Sequence, residues 1–165
     1  LYNTKLSVHG HAKRIISHII TDLALFEQLQ RSKMQSVKNL MSKDQFAKHS
    51  GIELLDVSKG TAKARMQIKK EHLNGIGIVH GGAIFTLADF VFAAASNSHG
   101  ILAVAINVSI SYLKAVKNGV LTAETREVSA NPKLATYSVR VTDDTGDLIA
   151  IFQGMVYKKK DRIDI

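Results

Sequence analysis

Residues Ala83 to Ser98 read Ala-Ile-Phe-Thr-Leu-Ala-Asp-Phe-Val-Phe-Ala-Ala-Ala-Ser-Asn-Ser, a run that is apolar almost all the way round a helix. An amphipathic helix can rest on one neighbour, but a helix without a polar face must be covered on most sides. Asp89 and Asn97 interrupt the run well short of membrane-spanning length, and no other stretch reaches that length. No membrane span is expected, so the rest of the chain has to wrap this helix. His99-Gly100 closes it with a glycine stop signal.

The wrapping material is strand. Residues 52–57 and 61–69 flank a turn at Ser58-Lys59-Gly60, and the second alternates Ala62, Ala64, Met66, Ile68 against Lys63, Arg65, Gln67, Lys69. A glycine-rich loop runs from Leu73 to Gly82. Four more strands are expected at 101–113, 119–129, 133–142 and 148–157. Lys117-Asn118-Gly119, Asn131-Pro132 and Asp144-Thr145-Gly146 separate them. Short connections predict a long antiparallel meander, curled around the buried helix. The class is α+β.

Residues 1–40 read as one helix, with Ile15, Ile16, Ile19, Ile20, Leu23, Phe26 and Leu29 at three- and four-residue spacing. Such a segment suits packing on its own domain or a partner subunit better than targeting, and Met41 could also be an alternative start. His9 and His11 have no third ligand at metal spacing, and no metal is expected. The expected organisation is a helical extension at 1–40, a domain at 41–157 and a basic tail at 158–165.

Charge follows the same division. Twenty-two Lys and Arg against 14 Asp and Glu give +8 over 165 residues, but residues 1–40 hold +4 and residues 158–165 hold +2. The middle is nearly neutral, which argues against a nucleic-acid surface. No cysteine is present, so thiolate chemistry and disulfides are excluded. With no secretory pattern at its start, the chain is expected to be cytoplasmic.

Asp89 is the candidate for chemistry. Its three- and four-residue neighbours are Phe85, Thr86, Phe92 and Ala93, and burial there would favour the neutral acid and make a stronger base. An aspartate bonded to backbone would look the same in sequence. Ahead of it, Val79-His80-Gly81-Gly82 places glycines at a helix start, where free N–H groups and the helix dipole favour negative charge. That is the requirement for an oxyanion hole, although a plain tight turn would read alike. His80 could orient the loop, and Asn74 offers a donor and an acceptor on it.

The run Asn74-(x)2-Gly77-(x)2-His80-Gly81-Gly82-(x)2-Phe85-(x)-Leu87-Ala88-Asp89, with Asn97-Ser98-(x)-Gly100 after the helix, resembles the hotdog-fold acyl-CoA thioesterases of the phenylacetate-degradation type. The resemblance covers about residues 41–157. It implies a sheet wrapped around a central helix and subunits paired into homodimers, often tetramers. Carried over, the catalytic carboxylate falls on Asp89, the oxyanion-hole N–H on Gly81, the positioning asparagine on Asn74 and the loop histidine on His80. Some relatives hold the water with a serine where Ala105 stands here, so that task would pass to Asn74, Thr86 or Asn107. Gly82, Thr86, Asn107, Lys114 and Lys133 are the substrate-binding candidates, the lysines (with Lys117) for coenzyme A phosphates. No cofactor is implied.

The implied activity is hydrolysis of an acyl-CoA, Asp89 activating water or attacking the carbonyl directly. The rival is a non-catalytic acyl-CoA-binding module. A hydratase fits less well, since no second acid or histidine is placed beside Asp89. Eight residues separate Gly81 from Asp89, about 12 Å along a helix axis, too far for both to serve one thioester. Composite sites across a homodimer are expected.

Overall fold

The computed structural model describes residues 2–163, with side chains from residue 18 onward; the readings of His9, His11, Ile15 and Ile16 lie outside those side chains. The order is α1 (Tyr2–Met41), α2 (Gln45–His49), β1 (Ile52–Ser58), β2 (Thr61–Gln67), a single 3-10 turn (Lys70–His72), α3 (Gly81–Asn97), β3 (Ile101–Tyr112), β4 (Val120–Ala130), β5 (Leu134–Thr142) and β6 (Leu148–Arg162). It is a hotdog arrangement of the α+β class.

The chain forms two compact units, divided between Ser32 and Lys33. The first is the long N-terminal part of α1, where Ile20, Leu23 and Phe26 are exposed. The second holds everything else, including the last turns of α1. There Val37 and Met41 enter the core, so this stretch is part of the domain's packing.

Within the second unit the six strands form one antiparallel sheet in the order β1-β2-β4-β5-β6-β3. The expected meander is therefore broken. β3 pairs with β6 at the far edge, while β4 returns to β2, and residues 113–119 cross between them instead of making a hairpin. The cause is α3, which comes between β2 and β3 in the chain and packs across the strands of the one sheet, so β3 re-enters at the far edge. β6 also runs on to Arg162, so residues 158–162 are strand where a tail was expected. Two further elements, α2 and the 3-10 turn, went unread, being too short for periodicity to show.

α3 lies against the concave face, burying Ile84, Leu87, Ala88, Phe90, Val91 and Phe92 among others. Phe92 meets Phe152 and Tyr137 with ring centroids 5.5 and 5.6 Å apart, in tilted and edge-on contacts. A Cβ at Gly154 would stand 2.6 Å from the Phe92 ring, so this glycine is where the sheet admits that ring. Among the described residues, no helix is long and apolar enough to cross a membrane.

Candidate active site

The loop before α3 is folded by its own side chains. Asn74 N–H donates to the Ile78 carbonyl at 2.8 Å, and Asn74 Oδ1 accepts from the N–H groups of Ile76 and Ile78 at 3.1 and 3.3 Å. Gly77 takes φ +75° inside this turn. Because Oδ1 is occupied, the free part of the Asn74 amide is its Nδ2 donor. Val79 N–H reaches the Val116 carbonyl at 2.8 Å and His80 N–H the His72 carbonyl at 2.8 Å, which tie the loop to the 113–119 crossing and to the 3-10 turn.

His80 is the N-cap of α3. Its Nδ1 accepts the Gly82 N–H at 2.8 Å, while its carbonyl accepts from Ala83 and Ile84 at 2.9 and 3.3 Å. A helix start leaves four N–H groups without intrahelical partners. Here three of them are taken, and Gly81 N–H alone has no hydrogen bond among the described residues. It sits at the positive end of the helix dipole. Gly81 does not have a positive φ; what crowds it is the Tyr112 ring, which lies 3.0 Å from where a Cβ would be.

Asp89 lies two turns further along α3, half-buried, with no hydrogen bond or ion pair among the described residues. Loss of solvent first, and then the nearby Asp44 carboxylate, push its acid above the ordinary carboxylate range. Asp44 is itself held, since its Oδ1 caps α2 by accepting the Ala47 N–H at 2.9 Å. An unpaired carboxylate of raised basicity is suited to taking a proton.

Two clefts flank the loop. One, of about 290 Å³, is lined by Asn74, Gly81, Tyr112 and Lys114. The other, of about 450 Å³, is lined by Phe46, His72, His80, Gly82, Phe85 and Thr86. The fold thus gathers Asn74, His80, Gly81, Gly82, Thr86 and Lys114 around the start of α3. Lys114 is ion-paired with Asp147, and Thr86 Oγ1 donates to the Gly82 carbonyl at 2.8 Å.

Two candidates fall elsewhere. Lys133 sits in the turn before β5, level with Lys158 and Ala103, roughly 30 Å of strand from Tyr112. Asn107 follows a bulge in β3 and pairs with Met155, which turns it to the sheet face away from α3. A one-residue bulge reverses the alternation of every later side chain, and periodicity alone did not reveal it.

Sequence reasoning missed His72 and Tyr112. His72 is buried, its Nδ1 accepts the Lys69 N–H at 3.1 Å, and its Nε2 has no partner. Tyr112 closes over Gly81 from a strand 31 positions later, a separation that no local pattern encodes. No group of three or more His, Cys, Asp or Glu at metal-binding spacing occurs among the described residues.

Comparison with known proteins places the chain in a family. Residues 76–150 match the family model of the thioesterase superfamily. An Archaeoglobus fulgidus protein, provisionally named an esterase, is 46% identical over 127 residues, 76% of this chain and 82% of that one. The acyl-coenzyme A thioesterase PaaI of Escherichia coli is 30% identical over 75% of this chain and 89% of its own. A solved structure of the Escherichia coli PaaI protein aligns at 29% identity with a TM-score of 0.76, covering 81% of this chain and 98% of that one. A Streptococcus mutans protein bound to acetyl CoA aligns at 28% identity and a TM-score of 0.65, covering 67% and 90%.

Proposed function

The chain belongs to the thioesterase superfamily and is a thioester hydrolase, and from that premise we propose that its substrate is an acyl-coenzyme A. The observation that carries the mechanism is the pairing of two unsatisfied groups on α3, the free N–H of Gly81 and the unpartnered carboxylate of Asp89. Asp89 takes a proton from water as the water oxygen attacks the thioester carbonyl. Gly81 N–H, at the positive end of the helix, stabilises the oxyanion. Collapse of the tetrahedral intermediate expels the coenzyme A thiolate and leaves the free acid. Asn74, through Nδ2, is placed to steady the carbonyl or the water, and His80 holds the loop by accepting the Gly82 N–H. The acetyl CoA in the Streptococcus mutans relative supports this substrate class.

The working unit is a dimer. Gly81 and Asp89 stand eight residues apart on one helix, about 12 Å, so one protomer does not bring both to one carbonyl. β3, twelve residues long, has an unpaired edge where Val104 and Ile106 are exposed. A long apolar edge favours pairing with another strand. Pairing of two such edges extends the sheet and sets two α3 helices side by side, so that Gly81 of one protomer can face Asp89 of the other.

The test is complementation, read by thiol release over a panel of acyl-CoAs. Asp89→Asn and Gly81→Pro are each expected to be inactive as homodimers, the proline removing the N–H. A mixed dimer has one site with both native elements and should regain up to about half of wild-type activity. Verified mixed dimers that stay inactive would show that each chain builds its own site. A wild-type protein that binds the panel without turnover would make it an acyl-CoA-binding module instead.

A further inference from the structure

Tyr112 is the last residue of β3, set opposite Ala150 of β6 and half exposed. Its hydroxyl donates to the Gly81 carbonyl at 3.0 Å. Its ring approaches Gly81 so closely that a Cβ there would be 3.0 Å from Cζ, 3.1 Å from the hydroxyl oxygen and 3.4 Å from Cε1. Both residues line the same cleft as Asn74 and Lys114.

The peptide that joins Gly81 to Gly82 is consequently held at both ends. Tyr112 grips its carbonyl, and His80 Nδ1 accepts its N–H at 2.8 Å. Glycine has the widest conformational freedom of any residue, and two in succession at a helix start would let the first turn wander. Donors act on developing charge best when they need no reorganisation. Fixing the next peptide fixes the direction of the one free N–H, that of Gly81. The anchor is stiff, because Tyr112 is carried by a paired strand and Leu113 N–H continues the pairing to the Ile149 carbonyl at 2.8 Å.

We propose that Tyr112 is a positioning residue for thioester hydrolysis, locking the Gly81 peptide by its hydroxyl and closing over it with its ring. The proposal rests on the reading of Gly81 N–H as oxyanion donor. The ring and the glycine are then one device, the ring requiring a residue without a side chain and the glycine requiring a clamp.

The test uses the full-length protein, with each rate expressed per folded oligomer. Tyr112→Phe keeps the ring and loses the hydrogen bond, so kcat should fall by roughly threefold to tenfold with KM almost unchanged. Gly81→Ala should lose activity because its Cβ meets the ring. Once the ring is gone, in Tyr112→Ala, adding Gly81→Ala should cost little more, which a double-mutant cycle reads directly. An unchanged kcat in Tyr112→Phe, or a rise confined to KM, would overturn the positioning role. So would fully active Gly81→Ala or additive losses in the cycle. Failure of the underlying reading looks different: Gly81→Pro would then fold and turn over at the wild-type rate.

Discussion

The two ends of α3 treat polar groups in opposite ways. At the C-terminal end Asn97, Ser98 and His99 all have partners. Asn97 Nδ2 donates to the Ala93 carbonyl at 2.9 Å and its Oδ1 accepts the Ala103 N–H at 3.1 Å. Ser98 Oγ donates to the Ala95 carbonyl and accepts the Gly60 N–H, both at 2.7 Å. Next to it, Glu127 Oε2 lies 2.6 Å from His99 Nε2 and accepts the Tyr137 hydroxyl at 2.7 Å. In the N-terminal half, Gly81 N–H and the Asp89 carboxylate have no partner among the described residues.

The two carboxylates make the contrast chemical. Burial raises both acids, but at Glu127 the hydrogen bonds from Tyr137 and His99, with the nearby His99 and Lys158, outweigh it and hold the acid below its usual range. Asp89 has no such bonds, and its acid rises. Tyr137, pushed far up by burial and then by Glu127, remains a donor. A satisfied buried network rigidifies a fold, whereas an unsatisfied group is kept for a ligand or a reaction.

The largest expected effect separates these roles at Asp89. Asp89→Asn should lower turnover by a factor of about 100 to 10,000 while raising the thermal midpoint at neutral pH. The sign follows from linkage. An acid whose folded pKa lies above its unfolded value adds stability below the unfolded pKa and loses it as pH rises through the folded one. Ionised Asp89 therefore weakens the fold, and removing the charge relieves it. Thiol release and calorimetry on one preparation would check both, and a lower midpoint would place Asp89 with the structural groups.

The opposite pattern is expected at the other end. Tyr137→Phe or Glu127→Gln should cost about 1 kcal/mol of stability, with kcat per folded protein unchanged. Since the Glu127 acid is depressed, its contribution is complete above the unfolded carboxylate pKa and lost as pH falls through the folded one. Denaturant unfolding of wild type and Glu127→Gln should converge in acid. A gap that stays constant there would remove the linkage, and an altered kcat would bring this network into the reaction.

The comparison extends to α1, whose two parts should differ, the first having the smallest effect of all. Deleting residues 1–32 should leave hydrolysis and the thermal midpoint nearly unchanged, because that part is a separate compact unit. Deleting residues 1–40 also removes Val37, fully buried in the core, and should cost about 2 kcal/mol. Loss of turnover in a folded 1–32 deletion would make the extension part of the site.

Much of this was legible in the chain because it is written in local patterns. Sixteen nearly apolar residues required a wrapped helix, alternation located the strands, and Asn74 to Asp89 carried enough spacing to name a family. The sequence by itself determined the long helices and the six strands, the candidate base and the candidate donor, but not the two short helical turns. Tertiary structure decided which strands pair, since pairing depends on what α3 leaves to be covered. It also decided that Asn107 faces away after a bulge, that the Tyr112 ring closes against Gly81, and that Asp89 is unpaired while Glu127 is not. Those facts depend on contacts between residues far apart in the chain, and such contacts exist only when the sheet closes around α3.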